Sequence, residues 1–301
     1  MRRNEVRWRG ASRGQMLLCG AVLLAAAGAA GAAVLGDWGP AMNAERLPRS
    51  SNEVNTRSGD GCPILDPLSN DLYMASNRPG GFGGQDIWIA KWNGRGWNTP
   101  VNAGRGINTA ADEFCPDPAP GSRLFFVRRL TAANTDIYMT KRLAGGFYTA
   151  PQRLPAGGGA INSSAEEWSP SYFHAGGRDF LYFSSTREGR QRVYYSINFG
   201  PAQLAPGGVN SSAADARPNV RQDGLEIVWD STRFGTLGGP DIWTANRSSV
   251  DAPWGTAVHL ENGINSPAGE SRASLSGDGH RLMFGTTRPG EGGSDIWTAT
   301  R

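Results

Sequence analysis

Five short apolar segments recur along the chain, and a two-residue turn signal precedes each of them. The segments are residues 72–75, 124–127, 181–183, 227–229 and 282–284. The preceding pairs are Asn70-Asp71, Gly121-Ser122, Gly176-Gly177, Asp223-Gly224 and Asp278-Gly279. Because Asn, Asp and Gly accept positive φ, such pairs close tight hairpins. The pattern predicts a β-strand after each turn.

A second phrase, Asp-Ile-Trp in its clearest form, follows each apolar segment. It stands at residues 86–88, 241–243 and 295–297, with weaker copies at 136–138 and at 192–194, where Arg192 replaces the acid. Because β-branched and aromatic residues suit a pleated sheet, the phrase predicts a third strand. Looser segments at 97–101, 147–154, 201–204 and 254–260 predict a fourth.

Each unit opens with an Asn that follows an aliphatic residue, and an acid stands five positions later. The Asn residues are Asn55, Asn108, Asn162, Asn210 and Asn265, and the acids are Asp60, Glu113, Glu167, Asp215 and Glu270. Successive Asn residues are 53, 54, 48 and 55 positions apart. Self-similarity at this period indicates a repeat architecture. Five units of four antiparallel strands predict an all-β, five-bladed β-propeller over residues 47–301.

The fifth unit stops after its third strand, at Arg301. Leu47-Pro48 stands before Val54-Asn55 as Leu154-Pro155 stands before Ile161-Asn162. We therefore expect an N-terminal strand to supply the missing outer strand and close the ring, with residues 34–46 as a linker.

The phrase S-x-R-x-G-G-x-G-x-x-D-I-W at 76–88, together with the Asp-Gly turns and a Pro three residues after most of the acids, resembles the TolB-type (WD-like) β-propeller repeat of exported bacterial proteins. The resemblance covers residues 47–301 and is specific for the fold. The third repeat departs from it, because its loop at 187–192 is short. The resemblance implies an envelope protein that acts as a rigid, non-enzymatic platform for a protein or cell-envelope polymer.

The first 33 residues differ from the rest of the chain. Five Arg residues lie within positions 2–13, an apolar run covers 16–24, and small residues continue to Ala33. This order predicts a secretory signal peptide over 1–33, with an uncleaved membrane anchor as the alternative. We therefore expect a periplasmic or extracellular protein that contacts the membrane only if the anchor remains.

The basic charge of the chain belongs to this segment. The whole chain carries +3; residues 1–33 contribute +4 and the remainder −1. Such a charge excludes a nucleic-acid footprint. The hydrophobic content of 39%, with 10 Trp, is enough for a packed core. We expect a monomer.

The repeated polar residues are predicted to share one end of the propeller. Because strand direction alternates, the loop before the first strand and the loop between the second and third emerge together. The five Asn, the five acids and Arg78, Arg187, Arg233 and Arg288 (with Arg129 as the approximate equivalent) would ring that end. They form either a polar binding face or a set of turn caps and ion pairs that hold the blades together. Recurrence in every unit favours the structural role.

An enzyme is the alternative function, since five-bladed propellers house glycoside hydrolases with carboxylates from different blades. Asp230 is the best candidate, because its equivalents are Ala75, Ser184 and Gly285. Glu166 and Asp117 are weaker candidates. His174, His259 and His280 lack metal-binding spacing, and no motif indicates a cofactor.

Cys62 and Cys115 occupy equivalent positions of the first two repeats, two residues after the acid. Equivalent points on neighbouring innermost strands come close at the propeller axis, within reach of a disulfide. An exported compartment favours the bond. A pair of free buried thiols is the alternative.

Overall fold

The computed structural model describes residues 35–131 and 134–301, and these form five four-stranded antiparallel sheets. The sheets are the blades of a five-bladed β-propeller, as the repeats predict. In the first four blades the strands lie side by side in chain order. The signal peptide predicted over residues 1–33 lies outside the described residues.

The strands of each blade have the following bounds. Blade 1 contains β2 (Asp60–Leu65), β3 (Leu72–Ser76), β4 (Asp86–Ala90) and β5 (Val101–Asn102). Blade 2 contains β6 (Asp112–Ala119), β7 (Arg123–Thr131), β8 (Asn134–Lys141) and β9 (Gln152–Arg153). Blade 3 contains β10 (Glu167–Ala175), β11 (Arg178–Ser185), β12 (Arg192–Ile197) and β13 (Gln203–Leu204). Blade 4 contains β14 (Asp215–Val220), β15 (Glu226–Ser231), β16 (Asp241–Asn246) and β17 (Val258–His259). Blade 5 contains β18 (Glu270–Leu275), β19 (Arg281–Thr286), β20 (Asp295–Thr300) and β1 (Met42–Asn43). The helices of the described part are two 3-10 turns, Ala44–Arg46 and Ala144–Gly146, too short to cross a membrane.

The N-terminal strand β1 closes the ring. Met42 lies opposite Thr298 and Asn43 lies opposite Trp297, so β1 takes the outer position of blade 5. The prediction of an N-terminal closing strand is confirmed, but its expected position was wrong, because β1 falls inside residues 34–46. That segment also buries Trp38 and Ala44, so it packs on the propeller and is not a linker.

The apolar core lies between neighbouring blades. Phe125 of blade 2 stacks on Tyr172 of blade 3 with ring centroids 5.3 Å apart, and both side chains are fully buried. Because each blade packs against a neighbour on both faces, its second strand is buried on both sides. Ile227, Val228 and Trp229 of β15 are all 0% exposed. This explains why the second strands have continuous apolar segments and not an alternating pattern.

Every innermost strand carries a β-bulge at the same repeat position. The bulged residues have left-handed φ values between 46° and 56°, and the register shifts at each one. An extra residue in one strand bends it and redirects a side chain. The five bulged residues are Cys62, Cys115, Ser169, Arg217 and Arg272.

Candidate functional site

The repeat Asn residues join each blade to the connection that follows it. In each case the side-chain amide pairs with both backbone groups of the β-branched residue in the third strand. For Asn108, Oδ1 accepts from Ile87 N at 2.9 Å and Nδ2 donates to Ile87 O at 2.9 Å. Asn55 makes the same pair with Ile296 of blade 5 and so joins blade 5 to blade 1. The Asn side chain thus replaces a strand residue in the β-ladder.

The repeat acids cap the next turn. Asp215 accepts hydrogen bonds from Ser211 N and Ser211 Oγ, and the same contacts recur at the other four acids, where a Ser or Thr always follows the Asn. The acidic side chains are 0% exposed. Burial raises the pKa of Glu113, whereas its bonds to Thr109 and Arg128 oppose the rise.

An Arg completes each cluster by pairing with the acid and stacking on the aromatic residue of the third strand. Arg233 Nη2 lies 2.6 Å from Asp215 Oδ1, and its guanidinium lies 5.2 Å from the Trp243 ring centroid. Arg233 also donates to the carbonyls of Gly208 and Val209, just before Asn210. Arg78, Arg187 and Arg288 hold equivalent places. The structure therefore forms five separate clusters at the blade joints, whose polar atoms bond to one another.

Blade 2 requires a correction. Arg128, and not Arg129, pairs with Glu113, at 2.7 Å, and stacks on Tyr138. Arg129 lies opposite Asp112 and pairs with it at 3.3 Å. Arg128 and Arg129 are adjacent in an alternating strand, so a shift of one residue moves the side chain to the other face.

The first residue of the Asp-Ile-Trp phrase holds the Gly-rich loop before it. Asp86 accepts hydrogen bonds from Phe82 N at 2.6 Å and Gly83 N at 3.2 Å. A Cβ on Gly83 would lie 1.9 Å from Ala111 O, so only Gly allows the loop to contact the next blade. These loops are therefore fixed surfaces on the end that carries the repeat Asn residues.

The five bulged residues line a small cavity on the propeller axis, which we call the axial cavity. Its volume is about 30 Å³, and its charged lining residues are Arg217 and Arg272. Cys62 and Cys115 are joined in a disulfide with their Cα atoms 4.8 Å apart. The repeat alignment already places Ser169, Arg217 and Arg272 opposite the two cysteines; sequence reasoning missed them because their residue types differ.

The carboxylates that the enzyme alternative would use each have different bonding partners. Asp230 is 2% exposed; it pairs with Arg217 Nη1 and accepts from Arg272 N at 2.9 Å. Burial raises the pKa of Asp230, and Arg217 opposes the rise. Asp117 accepts from Tyr172 N at 2.7 Å, and burial raises its pKa well above the ordinary value. Glu166 contributes its backbone N–H to Thr186 Oγ1. Over residues 35–131 and 134–301, the His, Cys, Asp and Glu side chains form no cluster of three or more suited to a metal.

Bonds between neighbouring innermost strands surround the axial cavity. Asp117, Ser171 and Asn219 each accept from a backbone N–H of the next blade. Ser274 Oγ donates to Pro63 O at 2.6 Å, from blade 5 to blade 1. Between blades 1 and 2 the equivalent acceptor position is Ile64 and the equivalent donor position is Pro118, which has no N–H. The disulfide joins the two strands at this interface.

Large apolar side chains are exposed at both ends of the propeller. Phe234 is 103% exposed and Leu237 is 57% exposed on the Gly-rich loop of blade 4, at the end of the repeat Asn residues. Leu237 N donates to Asp241 at 2.8 Å, and a Cβ on Gly238 would lie 2.2 Å from Pro267 O, so this loop is held rigidly. Leu143 and Phe147 are exposed at the opposite end.

The chain matches no family profile and no curated protein. Among solved structures it is similar to a thermostable family-43 glycoside hydrolase, with 14% identity, a TM-score of 0.55 and coverage of 83% of this chain and 91% of that one. The α-L-arabinofuranosidase PaAbf62A from Podospora anserina matches with 13% identity, a TM-score of 0.50 and coverage of 88% and 96%. TolB from Acinetobacter baumannii matches with 14% identity and a TM-score of 0.47 over 81% of this chain, which spans 55% of the TolB structure. At such identities the likeness shows the β-propeller fold alone.

Proposed function

We propose that this protein is an exported, non-enzymatic TolB-type β-propeller that binds a protein or cell-envelope polymer. The ligand would approach the asparagine face, the end that carries Asn55, Asn108, Asn162, Asn210 and Asn265 with the Gly-rich loops around them. The observation that carries this proposal is the full exposure of Phe234, next to exposed Leu237, on a loop fixed by Asp241 and Gly238. Rigid, exposed apolar side chains are typical of interaction sites, because they bury surface without a large ordering cost.

The polar geometry supports binding over hydrolysis. Glycoside hydrolysis requires two carboxyl groups about 5–9.5 Å apart on either side of the scissile bond. Asp230 is ion-paired with Arg217 beside an axial cavity of about 30 Å³, which has no room for a sugar ring. The repeated acids are 0% exposed and bonded within their own clusters.

Two features support export. The Arg-rich start and the apolar run at 16–24 have the order of a secretory signal. The Cys62–Cys115 disulfide is of the kind that persists in oxidising compartments. Fractionation should place the protein in the periplasm or medium; an exclusively cytoplasmic protein would contradict this part of the proposal.

The face is tested with matched pairs of surface substitutions. We expect Phe234→Ser/Leu237→Ser to reduce crosslinking to envelope components about tenfold or more, because hot-spot aromatics carry 2 kcal/mol or more of binding energy. Leu143→Ser/Phe147→Ser on the opposite end is the control and should retain binding. Both variants should melt like wild type, since these side chains are exposed. Loss of binding only in Leu143→Ser/Phe147→Ser would place the ligand on the end opposite the asparagine face and would contradict the proposal.

The enzyme alternative is tested by assaying purified protein against a panel of glycans, with Asp230→Asn as the comparison. We expect no turnover from either. Turnover by wild type that disappears in Asp230→Asn would replace the binding proposal with hydrolysis.

A further inference from the structure

Arg272 has an unpaired side chain in the axial cavity. Its backbone N–H donates to Asp230, but over the described residues its guanidinium contacts no carboxylate and makes no hydrogen bond. Arg217, the other cation of the cavity, already neutralises Asp230. Within residues 35–131 and 134–301, the cavity lining includes two Arg and no acid, so the cavity holds an excess positive charge.

That charge persists at neutral pH. Burial, and then the repulsion from Arg217, lower the pKa of Arg272 to about 10, which still leaves the guanidinium protonated. Among the described residues, the other charged groups that act on it are Asp230, already paired, and Arg129, which pairs with Asp112. Arg272 is half-buried, and its Nε is buried without a hydrogen-bond partner. A cation partly removed from water is unfavourable without a counter-ion.

Polar donors around the cavity are also unused. Among the described residues, Ser169 Oγ, Arg217 Nε and Arg272 Nε are buried without hydrogen-bond partners. Ser169 is 8% exposed and belongs to the cavity lining. Buried donors of this kind are rare unless a water or an ion completes them.

The cavity size restricts the occupant. Its volume of about 30 Å³ exceeds the ~10–15 Å³ needed to admit one water. It therefore has room for a species the size of one or two waters, and sulfate or a sugar ring would not fit. We propose that the axial cavity binds one small monovalent inorganic anion of the size of chloride between Arg217, Arg272 and Ser169.

The first test compares unfolding temperatures of wild type and Arg272→Gln at constant ionic strength in sodium gluconate, chloride, bromide and sulfate. In gluconate the variant should melt at or above the wild-type temperature, because it lacks the unpaired, half-buried charge. Chloride and bromide should raise the wild-type temperature by several degrees more than that of the variant, since a ligand that binds only the folded state stabilises it. Sulfate should shift both equally through its general effect on apolar burial.

Arg281→Gln is the matched control. Over the described residues Arg281 has no carboxylate partner, and it lies over Trp92 and Trp97, away from the axis. This variant should keep the full chloride response. Anomalous diffraction from bromide-soaked wild-type crystals should show a peak in contact with Arg272. Equal chloride responses of wild type and Arg272→Gln would overturn the proposal. If Arg272→Gln does not fold, the bromide peak alone decides, and its absence also overturns the proposal.

Discussion

Replacing both cysteines of the disulfide should remove a large part of the stability of the propeller. In the variant Cys62→Ser/Cys115→Ser the innermost strands of blades 1 and 2 lose the disulfide that joins them directly, and no hydrogen bond replaces it at Ile64 and Pro118. The two residues are 53 positions apart. For a closed loop of ~54 residues the chain-entropy relation gives a loss of about 4 kcal/mol at 25 °C. At ~2–4 °C per kcal/mol this corresponds to a fall in Tm of roughly 8–16 °C.

The measurement is thermal and guanidinium unfolding of the chain from residue 34, which contains these two cysteines alone. Wild type in reductant should approach the stability of the double variant, and the double variant should not respond to reductant. A loss below about 1 kcal/mol would refute the entropic account, because the constraint on the unfolded chain would then be worth little. Alkylation of the denatured protein without reductant should add no alkyl groups; two added groups would show that the bond does not form.

Three further outcomes are expected. Trp38→Ala should cost about 3–5 kcal/mol, because Trp38 is buried beneath Arg301 and belongs to the ring closure; a loss under 1 kcal/mol in guanidinium unfolding would mean that the segment before β1 does not stabilise the ring. Asn265→Ala should cost roughly 1–3 kcal/mol, because it leaves the backbone N–H of Ile242 unpaired in the interior, while Ile242 O keeps its bond from Leu260 N; unchanged unfolding would contradict its role in the β-ladder. Burial raises the pKa of the Asp117 carboxyl in the folded protein. As pH rises, the unfolded chain therefore loses the Asp117 proton before the folded protein does. Wild-type stability should fall as pH rises from about 4 toward the folded-state pKa. Asp117→Asn should abolish that fall, and a stability difference between the two proteins that does not change with pH would refute the assignment.

The sequence predicts the parts of the fold that are repeated. Five copies of the same polar and apolar phrases are enough to define the blades, and each pairing of acid with Arg follows from their positions around one loop. The prediction failed by one residue at Arg128, because two adjacent arginines satisfy the same spacing and only the strand register separates them. It placed the closing strand too far toward the C-terminus, because β1 has two residues and so shows no alternation of apolar and polar side chains. Arg272 was missed because the aligned positions of the five repeats hold Cys, Ser and Arg, so the shared location on the axis is not visible as a shared residue type.

The pairing of β1 with β20 also affects the order in which the protein is built. Blades 1 to 4 contain strands that are neighbours in sequence, so each can form soon after its residues are made. Met42 can pair only after Thr298, 256 positions later, has been synthesised. At ~5–20 residues per second, synthesis of that length takes roughly 10–50 s. During this interval β1 has no strand to pair with and Trp38 is not yet covered by Arg301, and contacts of such high separation form slowly even afterwards. The nascent chain therefore carries an exposed strand and a large apolar side chain for most of its synthesis, and these are the surfaces that a chaperone would protect.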